Sequence, residues 1–530
     1  PREEVAVPGE RWILTMDLGT TGPKVGLVST QGELLAWEKE PTRLSLLPDG
    51  GAEQDPHEWW EAIRRATHRL LEGIPEARER IVAIGCTGMW STLVPVDREG
   101  APLTPAILWM DARGAPEVEE MFGGFPSVAG YRLDRLILWI RLTGGVPGHS
   151  GKDSFAHLLY LRRRRPEVYR ETWKFLEAKD YLNLRLTGCA AASYDSVALF
   201  WLTDNRDILR IDYHPALLRT AGVDREKLPD LRKAVEILGP LRPEAARDLD
   251  LRPGIPVIVG TPDVQAGAVG SGAVADEAPH LYLGTSSWLT CHVPFRRVDL
   301  LRNMTTLPSA IPGRYFIANE QETAGACLQV LGRLLQDPTA TAPLPEPLLD
   351  ALAAQAPPGS GGLLFTPWLY GERTPVEDSA LRGGFFNLSL ETRREHLVRA
   401  VFEGVAYNTR WLLEAVEAFL RHRVEDIRFI GGGARSAVWG QIMADVLNRT
   451  IHTVQEPQLA ALRGVALLAA VALGELTWAE IPERVPIAAT FRPDPAHRAR
   501  YDALFREFLA LYRATRGIYR RLHRRRSLFV

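Results

Sequence analysis

Two apolar stretches, each broken by a turn of small residues, constrain this chain more than any other feature. RWILTMD (Arg11–Asp17) ends in an acid and leads into LGTTGPK and VGLVST; HLYLGTSSWLT (His280–Thr290) repeats the same grammar far downstream. Each predicts a strand, a Gly/Thr or Gly/Ser turn and a second strand. A chain of 530 residues exceeds what one hydrophobic core supports. Two α/β halves, each opening on one of these units, are therefore expected.

The intervening sequence fits that plan. DPHEWWEAIRRATHRLLEGI has helical periodicity, with Asp55 as N-cap and Pro56 in the first turn. RIVAIGCTG, IPVIVGTPD and DIRFIGGG read as buried strands, and ETRREHLVRAVFEGVAYNTRWLLEAVEAFL and SAVWGQIMADVLN as helices. The Pro/Ala/Gly-rich run from DPTATAPLPEPLL to QAPPGSGGLL reads as a helix-breaking surface excursion. The expected division is 11–268 for an N-terminal lobe, 269–490 for a C-terminal lobe, and 491–530 for a helical extension with a basic tail. The pairing suggests a two-lobed actin-like ATPase (ribonuclease H-like) α/β fold with a central cleft, although composition alone does not separate it from other two-domain α/β folds.

Bulk charge excludes some functions. A net charge of −2 argues against a nucleic-acid or acidic-membrane binder. RGIYRRLHRRR (Arg516–Arg526) is locally basic and reads as a solvated tail or a helix end. Cys86, Cys189, Cys291 and Cys327 have no metal-ligand spacing and read as reduced, buried thiols of a cytosolic protein. The first twelve residues do not read as a secretory signal, and LAALRGVALLAAVALGEL is interrupted by Arg463 and Gly464, leaving pieces too short to span a bilayer.

The chemistry-bearing residues cluster at the turns. Asp17 is followed by Gly19, Thr20, Thr21, Gly22 and Lys24. Glycine lets backbone N–H groups approach a phosphate, threonine adds hydroxyl donors, lysine adds a charge, and the carboxylate can hold Mg2+ directly or through water. An ordinary hairpin turn explains the same residues. Gly284, Thr285 and Ser286 form the second such turn. Asp263 follows an apolar run among small residues, where a carboxylate can accept the proton of an attacking hydroxyl or simply cap the helix after it. Gly431–Gly433 follows a strand and precedes a helix, which favours close approach to a nucleotide. Neither a GxGxxG at that turn nor a GxxxxGK[ST] is present, which removes the P-loop NTPases.

With these motifs in order, the chain resembles the FGGY family of carbohydrate kinases, most closely its xylulokinase-like members, over about residues 11–490. The resemblance implies ATP and Mg2+ as cofactors. DLGTTGPK is similar to the family's first phosphate loop, and GTPDVQAGAVGSG to the segment carrying its catalytic aspartate, here Asp263, with Asp17 and Asp263 toward the metal. LGTSSW resembles the second phosphate loop. TAGACLQVL implies Gly325 and Gln329 near the nucleotide, and GGGARSAVWGQIMADVL implies Gly432, Gly433 and Ser436 at the adenosine. KDYLNLRLTG matches the middle of the N-terminal lobe.

The departures concern substrate. Where xylulokinases carry Gln-Met-His-Gly, this chain has Met89-Trp90-Ser91-Thr92, and where they follow the catalytic Asp with Asn it has Val264 and then Gln265. The Arg-Glu pair of glycerol kinases is also missing. Met89, Trp90, Ser91, Asp111, Asp263, Val264 and Gln265 are the expected substrate-facing set, with Trp90 serving either to narrow the pocket or as a core aromatic, and with the polar pair in LWMDAR either bonding sugar hydroxyls or forming a structural ion pair, the structural role preferred for Arg113.

The expected reaction is in-line transfer of the γ-phosphoryl group of Mg·ATP to a hydroxyl of a small sugar or polyol, a pentulose such as xylulose first. Gluconate- or glycerol-type acceptors, or a catalytically silent sugar-binding regulator, are the alternatives. A small-molecule substrate, no nucleic acid and no membrane are the expected partners; a homodimer is left open.

Overall fold

The computed structural model describes residues 11–524 apart from 337, 338, 340 and 341. The end of the basic tail (525–530) and those four residues of the Pro/Ala-rich run lie outside the described residues.

Both halves are built on the same strand plan. The first sheet runs Ile237–Pro240, Pro256–Ile258, Ile81–Gly88, Trp12–Gly19, Gly22–Ser29, Leu34–Lys39 across its width. Its opening hairpin is antiparallel, Ile81–Gly88 and then Pro256–Ile258 add in parallel, and Ile237–Pro240 closes the edge antiparallel. The second sheet repeats this with Ser287–Thr290, His280–Leu283, Asp426–Ile430, Thr450–Val454 and Ile487–Phe491: antiparallel hairpin, two parallel additions, antiparallel edge. The parallel strands read as near-continuous apolar runs because helices cover both faces. Ile13, Leu14 and Met16 are fully buried on alternate sides of the first strand, each worth about 1.5–3 kcal/mol of burial.

Helices Asp263–Gly270 and Ala460–Ala472 cross between the sheets. The crossing is tight: a Cβ on Gly270 would lie 1.7 Å from the Ala460 carbonyl oxygen, and one on Gly464 would lie 1.8 Å from that of Ala266. Only glycine permits this approach. Ala460–Ala472 follows a strand of the second sheet yet packs on the opening strands of the first, so the two halves are joined through this pair. Arg463, which interrupts the apolar run in the sequence, is buried at the same crossing, 3.5 Å from the Gly270 carbonyl and 2.8 Å from that of Gln455.

Two expectations need revision, and a third, the helical C-terminal extension, gains detail. The Pro/Ala-rich run contains a ten-residue helix, Glu346–Gln355, because Pro345 and Pro347 fall at its cap and first turn, where no intrahelical N–H is needed, and Leu349 and Ala353 anchor it. The C-terminal extension is a helix, Arg498–Arg524, whose Tyr501, Phe505, Phe508 and Tyr512 enter the second core beside Trp368, Tyr407 and Trp411. Within the basic tail, Arg520 pairs with the Asp378 carboxylate at 2.7 Å. Lastly, Asp263 neither ends a strand nor caps a helix. The strand stops at Ile258, Pro262 is the cap residue, and Asp263 is the first residue of the helix. Gly260 turns the chain between them at φ +71°, in a space where a Cβ would lie 2.2 Å from the Cys86 carbonyl. Among the described residues, no helix is long and apolar enough to cross a membrane.

Candidate active site

The first hairpin sets Asp17 directly opposite Lys24, and Lys24 Nζ donates to Asp17 Oδ2 at 2.7 Å. Burial works against the ammonium, but the Asp17 carboxylate, then Asp263, hold Lys24 above its ordinary value. Gly19 pairs with Gly22, which leaves Thr20 and Thr21 as the turn. Gly22 has φ +124°, and a Cβ there would lie 1.9 Å from the Glu40 carbonyl oxygen, so the turn requires glycine. Thr20 Oγ1 accepts from Trp109 Nε1 at 3.1 Å and donates to Met89 Sδ at 3.2 Å, while Thr21 is exposed.

Asp263 lies at the start of its helix beside this hairpin. Burial, then the neighbouring Asp17 carboxylate, push it up from 3.8 to about 7, against the pull of the Val264 N–H and the Lys24 ammonium. Its Oδ1 accepts from the Val264 N–H at 2.8 Å. The chain leading to it is pinned from behind by buried polar groups. Lys179 Nζ and Asn183 Nδ2 donate to the Val259 carbonyl at 3.2 and 2.7 Å, Thr87 Oγ1 donates to the Thr261 carbonyl at 2.7 Å, and Thr261 Oγ1 donates to Asp195. Lys179 is itself paired with Asp180, which Ser196 also holds at 2.6 Å. The KDY run thus supports the Asp263 loop from within the core.

The second turn meets its neighbours through glycine. Gly325 begins helix Gly325–Leu334 and donates to the Gly284 carbonyl at 2.8 Å, and a Cβ on it would lie 2.5 Å from that oxygen. Gly431 and Gly433 pack on Leu283, just before the turn, with 2.5 and 2.4 Å left for a Cβ; Gly432 faces open space. Gly284, Thr285, Ser286, Gly325, Gly432 and Gly433 are therefore one cluster. Ser436 sits beside it as N-cap of helix Ala437–Leu447, accepting from Trp439 N at 3.0 Å and donating to Asp350 at 2.8 Å, and Gln329 is exposed on the helix that Gly325 begins. Across from the Asp17–Lys24 pair, the equivalent partners of the second hairpin are Tyr282 and Trp288, stacked at 3.9 Å. Burial, then the charges of Asp263 and Asp17, push the Tyr282 phenol up.

The expected substrate residues divide. Met89 is buried under Thr20. Trp90 is half-buried with Nε1 on the Ser196 carbonyl at 2.9 Å, and Ser91 holds a left-handed backbone (φ +60°) with Oγ on the Lys152 carbonyl at 2.8 Å. Val264 is partly exposed beside Asp263. Asp111 is fully buried: it accepts from Ala52 N at 2.9 Å and from Arg113, which also reaches Glu53. Gln265 has both ends of its amide engaged, donating to the Pro308 carbonyl and accepting from Ala310 N at 3.0 and 2.6 Å. Asp111 and Gln265 thus have their polar atoms committed to structural bonds.

Sequence reasoning missed Glu320. Its carboxylate accepts from Arg373 at 2.5 Å, and its charge raises Asp263. The signal was the acid pair Glu320 and Glu322 directly before the TAGACLQVL motif. An Mg2+ ion fits the donor set. Asp17 offers a carboxylate whose charge acts on that of Asp263, and such an ion takes one or two carboxylates and completes its shell with phosphate and water.

Two sheets of one plan, clamped about a helix crossing with a glycine turn on each side, define the two-lobed α/β class of small-molecule kinases. The chain belongs to the FGGY family of carbohydrate kinases: the family's N-terminal domain matches residues 12–270 and its C-terminal domain residues 281–473. Xylulose kinase from Escherichia coli (strain K12) is 32% identical over 504 residues, 94% of this chain and 98% of that protein. Gluconokinase from Bacillus subtilis (strain 168) is 26% identical over 522 residues, 96% and 97% of the two chains. The crystal structure of xylulose kinase from Rhodospirillum rubrum superposes with a TM-score of 0.82 at 29% identity, covering 96% of this chain and all of that one. This chain is accordingly an ATP-dependent carbohydrate kinase.

Proposed function

We propose that the chain transfers the γ-phosphoryl group of ATP to a primary hydroxyl of a pentulose such as xylulose, with Asp263 as the base. The observation that carries this is the Asp263 carboxyl, raised to about 7 beside the Asp17–Lys24 pair. A base with that affinity takes a hydroxyl proton near neutrality and is half-ionised at the pH where it works. Val264 N–H orients it, and the Lys179–Asn183–Thr87 supports fix its height above the sheet. Lys24 and the two glycine turns would neutralise charge developing on the transferred group. Mg·ATP, when bound, supplies the phosphoryl group and the metal charge, with Asp17 and Asp263 the residues that would hold the ion. Gly325, Gln329, Gly432, Gly433 and Ser436 are the proposed nucleotide side, and Met89, Trp90, Ser91 and Val264 the proposed acceptor side.

Lobes at 11–268 and 269–490, with the remainder as a C-terminal annex built on the helix Arg498–Arg524, a cytoplasmic site of action and a small-molecule acceptor complete the proposal. A sugar-acid acceptor is the second reading, favoured by the gluconokinase relative. A coupled ADP-release assay over xylulose, ribulose, glycerol and gluconate tests the proposal. ADP release fastest with a pentulose supports it, and release only with gluconate replaces it by the second reading.

A further inference from the structure

Asp153 and Arg373 each hold one buried polar atom without a protein partner among the described residues. Asp153 lies in the part matched by the N-terminal domain and Arg373 in the part matched by the C-terminal one. Asp153 Oδ2 accepts from Gly148 N at 2.9 Å and Trp201 Nε1 at 2.7 Å, while Oδ1 accepts from nothing. Arg373 donates from Nε to Glu322 at 2.7 Å and from Nη1 to Glu320 at 2.5 Å, while Nη2 donates to nothing. The carboxylate and the guanidinium act on one another's charge across the junction.

The location ties this pair to the site. Glu320 accepts from Arg373 at 2.5 Å, and the Glu320 charge raises Asp263, so Arg373 holds a carboxylate that acts on the reacting one. On the other side, Ser91 Oγ holds the carbonyl of Lys152, the residue before Asp153, at 2.8 Å. Lys152 Nζ reaches across to within 3.6 Å of Glu322 and 4.7 Å of the Tyr370 ring.

A buried acceptor and a buried donor, both unsatisfied, are costly until partnered, and one group lying between them serves both. A hydroxyl does so, donating to the carboxylate while accepting from the guanidinium. A ligand carboxylate would meet the like charge of Asp153, and an apolar group would leave both atoms unpaired. We propose that Asp153 and Arg373 are specificity-determining residues that clamp the acceptor's terminal hydroxyl, at the end opposite the one phosphorylated, between the two lobes. This rests on the pentulose reading above and argues against a sugar acid.

Calorimetry with D-xylulose and 1-deoxy-D-xylulose on the wild type, Asp153→Asn and Arg373→Lys tests it. Asp153→Asn keeps an oxygen for Trp201 and Gly148, and Arg373→Lys keeps the charge facing Glu320 and Glu322. The wild type should bind the deoxy sugar at least about ten-fold more weakly, and each variant should bind the two sugars within about three-fold of one another. Variants that discriminate as the wild type does overturn the proposal, as they would if only water joins the two side chains. A wild type that phosphorylates D-xylulose but binds both sugars equally overturns this proposal alone. One that phosphorylates no pentulose overturns the parent reading with it.

Discussion

Replacing Asp263 by Asn should stabilise the fold while disabling the chemistry. The rise of this carboxyl from 3.8 to about 7 is equivalent to about 4 kcal/mol against its ionised form in the folded chain. Water in the cleft screens part of that, leaving about 1–3 kcal/mol for Asn to recover. The sign follows from linkage. Below about pH 4 the group is protonated in both folded and unfolded chains and costs nothing. As pH rises from 4 to 7 the unfolded chain ionises first and the folded state loses stability, and above 7 the loss is constant. Asn keeps an oxygen for the Val264 N–H, so the local bond survives. Melting curves of both proteins should coincide near pH 4 and separate progressively to pH 7. At pH 8 the variant should melt about 1–3 °C higher. A variant that melts at or below the wild type at pH 8 would refute the strain assigned to Asp263.

Further expectations follow from the same geometry. The pH profile of kcat/KM should lose activity below about 7 as Asp263 is protonated. In the residual activity of Asp17→Asn that limb should move to lower pH, and in Lys24→Met to higher pH, because Asp17 raises the Asp263 value and Lys24 lowers it. Gly464→Val should cost about 1–3 kcal/mol or more by forcing apart helices that leave 1.8 Å for a Cβ, read as a fall in Tm; an unchanged Tm would mean the crossing is looser than drawn. Asn183→Leu, which removes one of the supports of the Val259 carbonyl, should lower kcat more than it changes the KM for ATP.

The sequence made the strand–turn–strand plan legible because its signals are local. Gly22 is required by one turn and the apolar runs by the strands on either side, so both hairpins could be placed from spacing alone. Asp17 and Lys24 were legible as turn-flanking charges, but their pairing across a two-residue turn was not, because the strands run further into the LGTTGPK segment than its glycines suggest. The position of Asp263 was not, since the apolar run IPVIVG looks like strand to its end. What stops the strand at Ile258 is a tertiary event, Gly260 turning against the Cys86 carbonyl of a distant strand. Glu320, Arg373 and Asp153 were equally hidden. Charged residues far apart in sequence carry no sign of partnership until folding juxtaposes them. The same holds for Gln265 and Asp111, polar residues next to motif positions whose bonds go to the backbones of Pro308, Ala310 and Ala52. The Pro/Ala-rich run misled for a different reason. Two prolines signal a break only when they fall inside a helix, and here they start one.

The most direct test of the account is ADP formation with saturating Mg·ATP and D-xylulose by the wild type and by Asp263→Asn, alongside calorimetric sugar binding to both. The account predicts stoichiometric ADP and sugar phosphate from the wild type and a rate lower by roughly 100- to 10,000-fold in the variant, with sugar still bound. A variant that phosphorylates D-xylulose within ten-fold of the wild-type rate would contradict it.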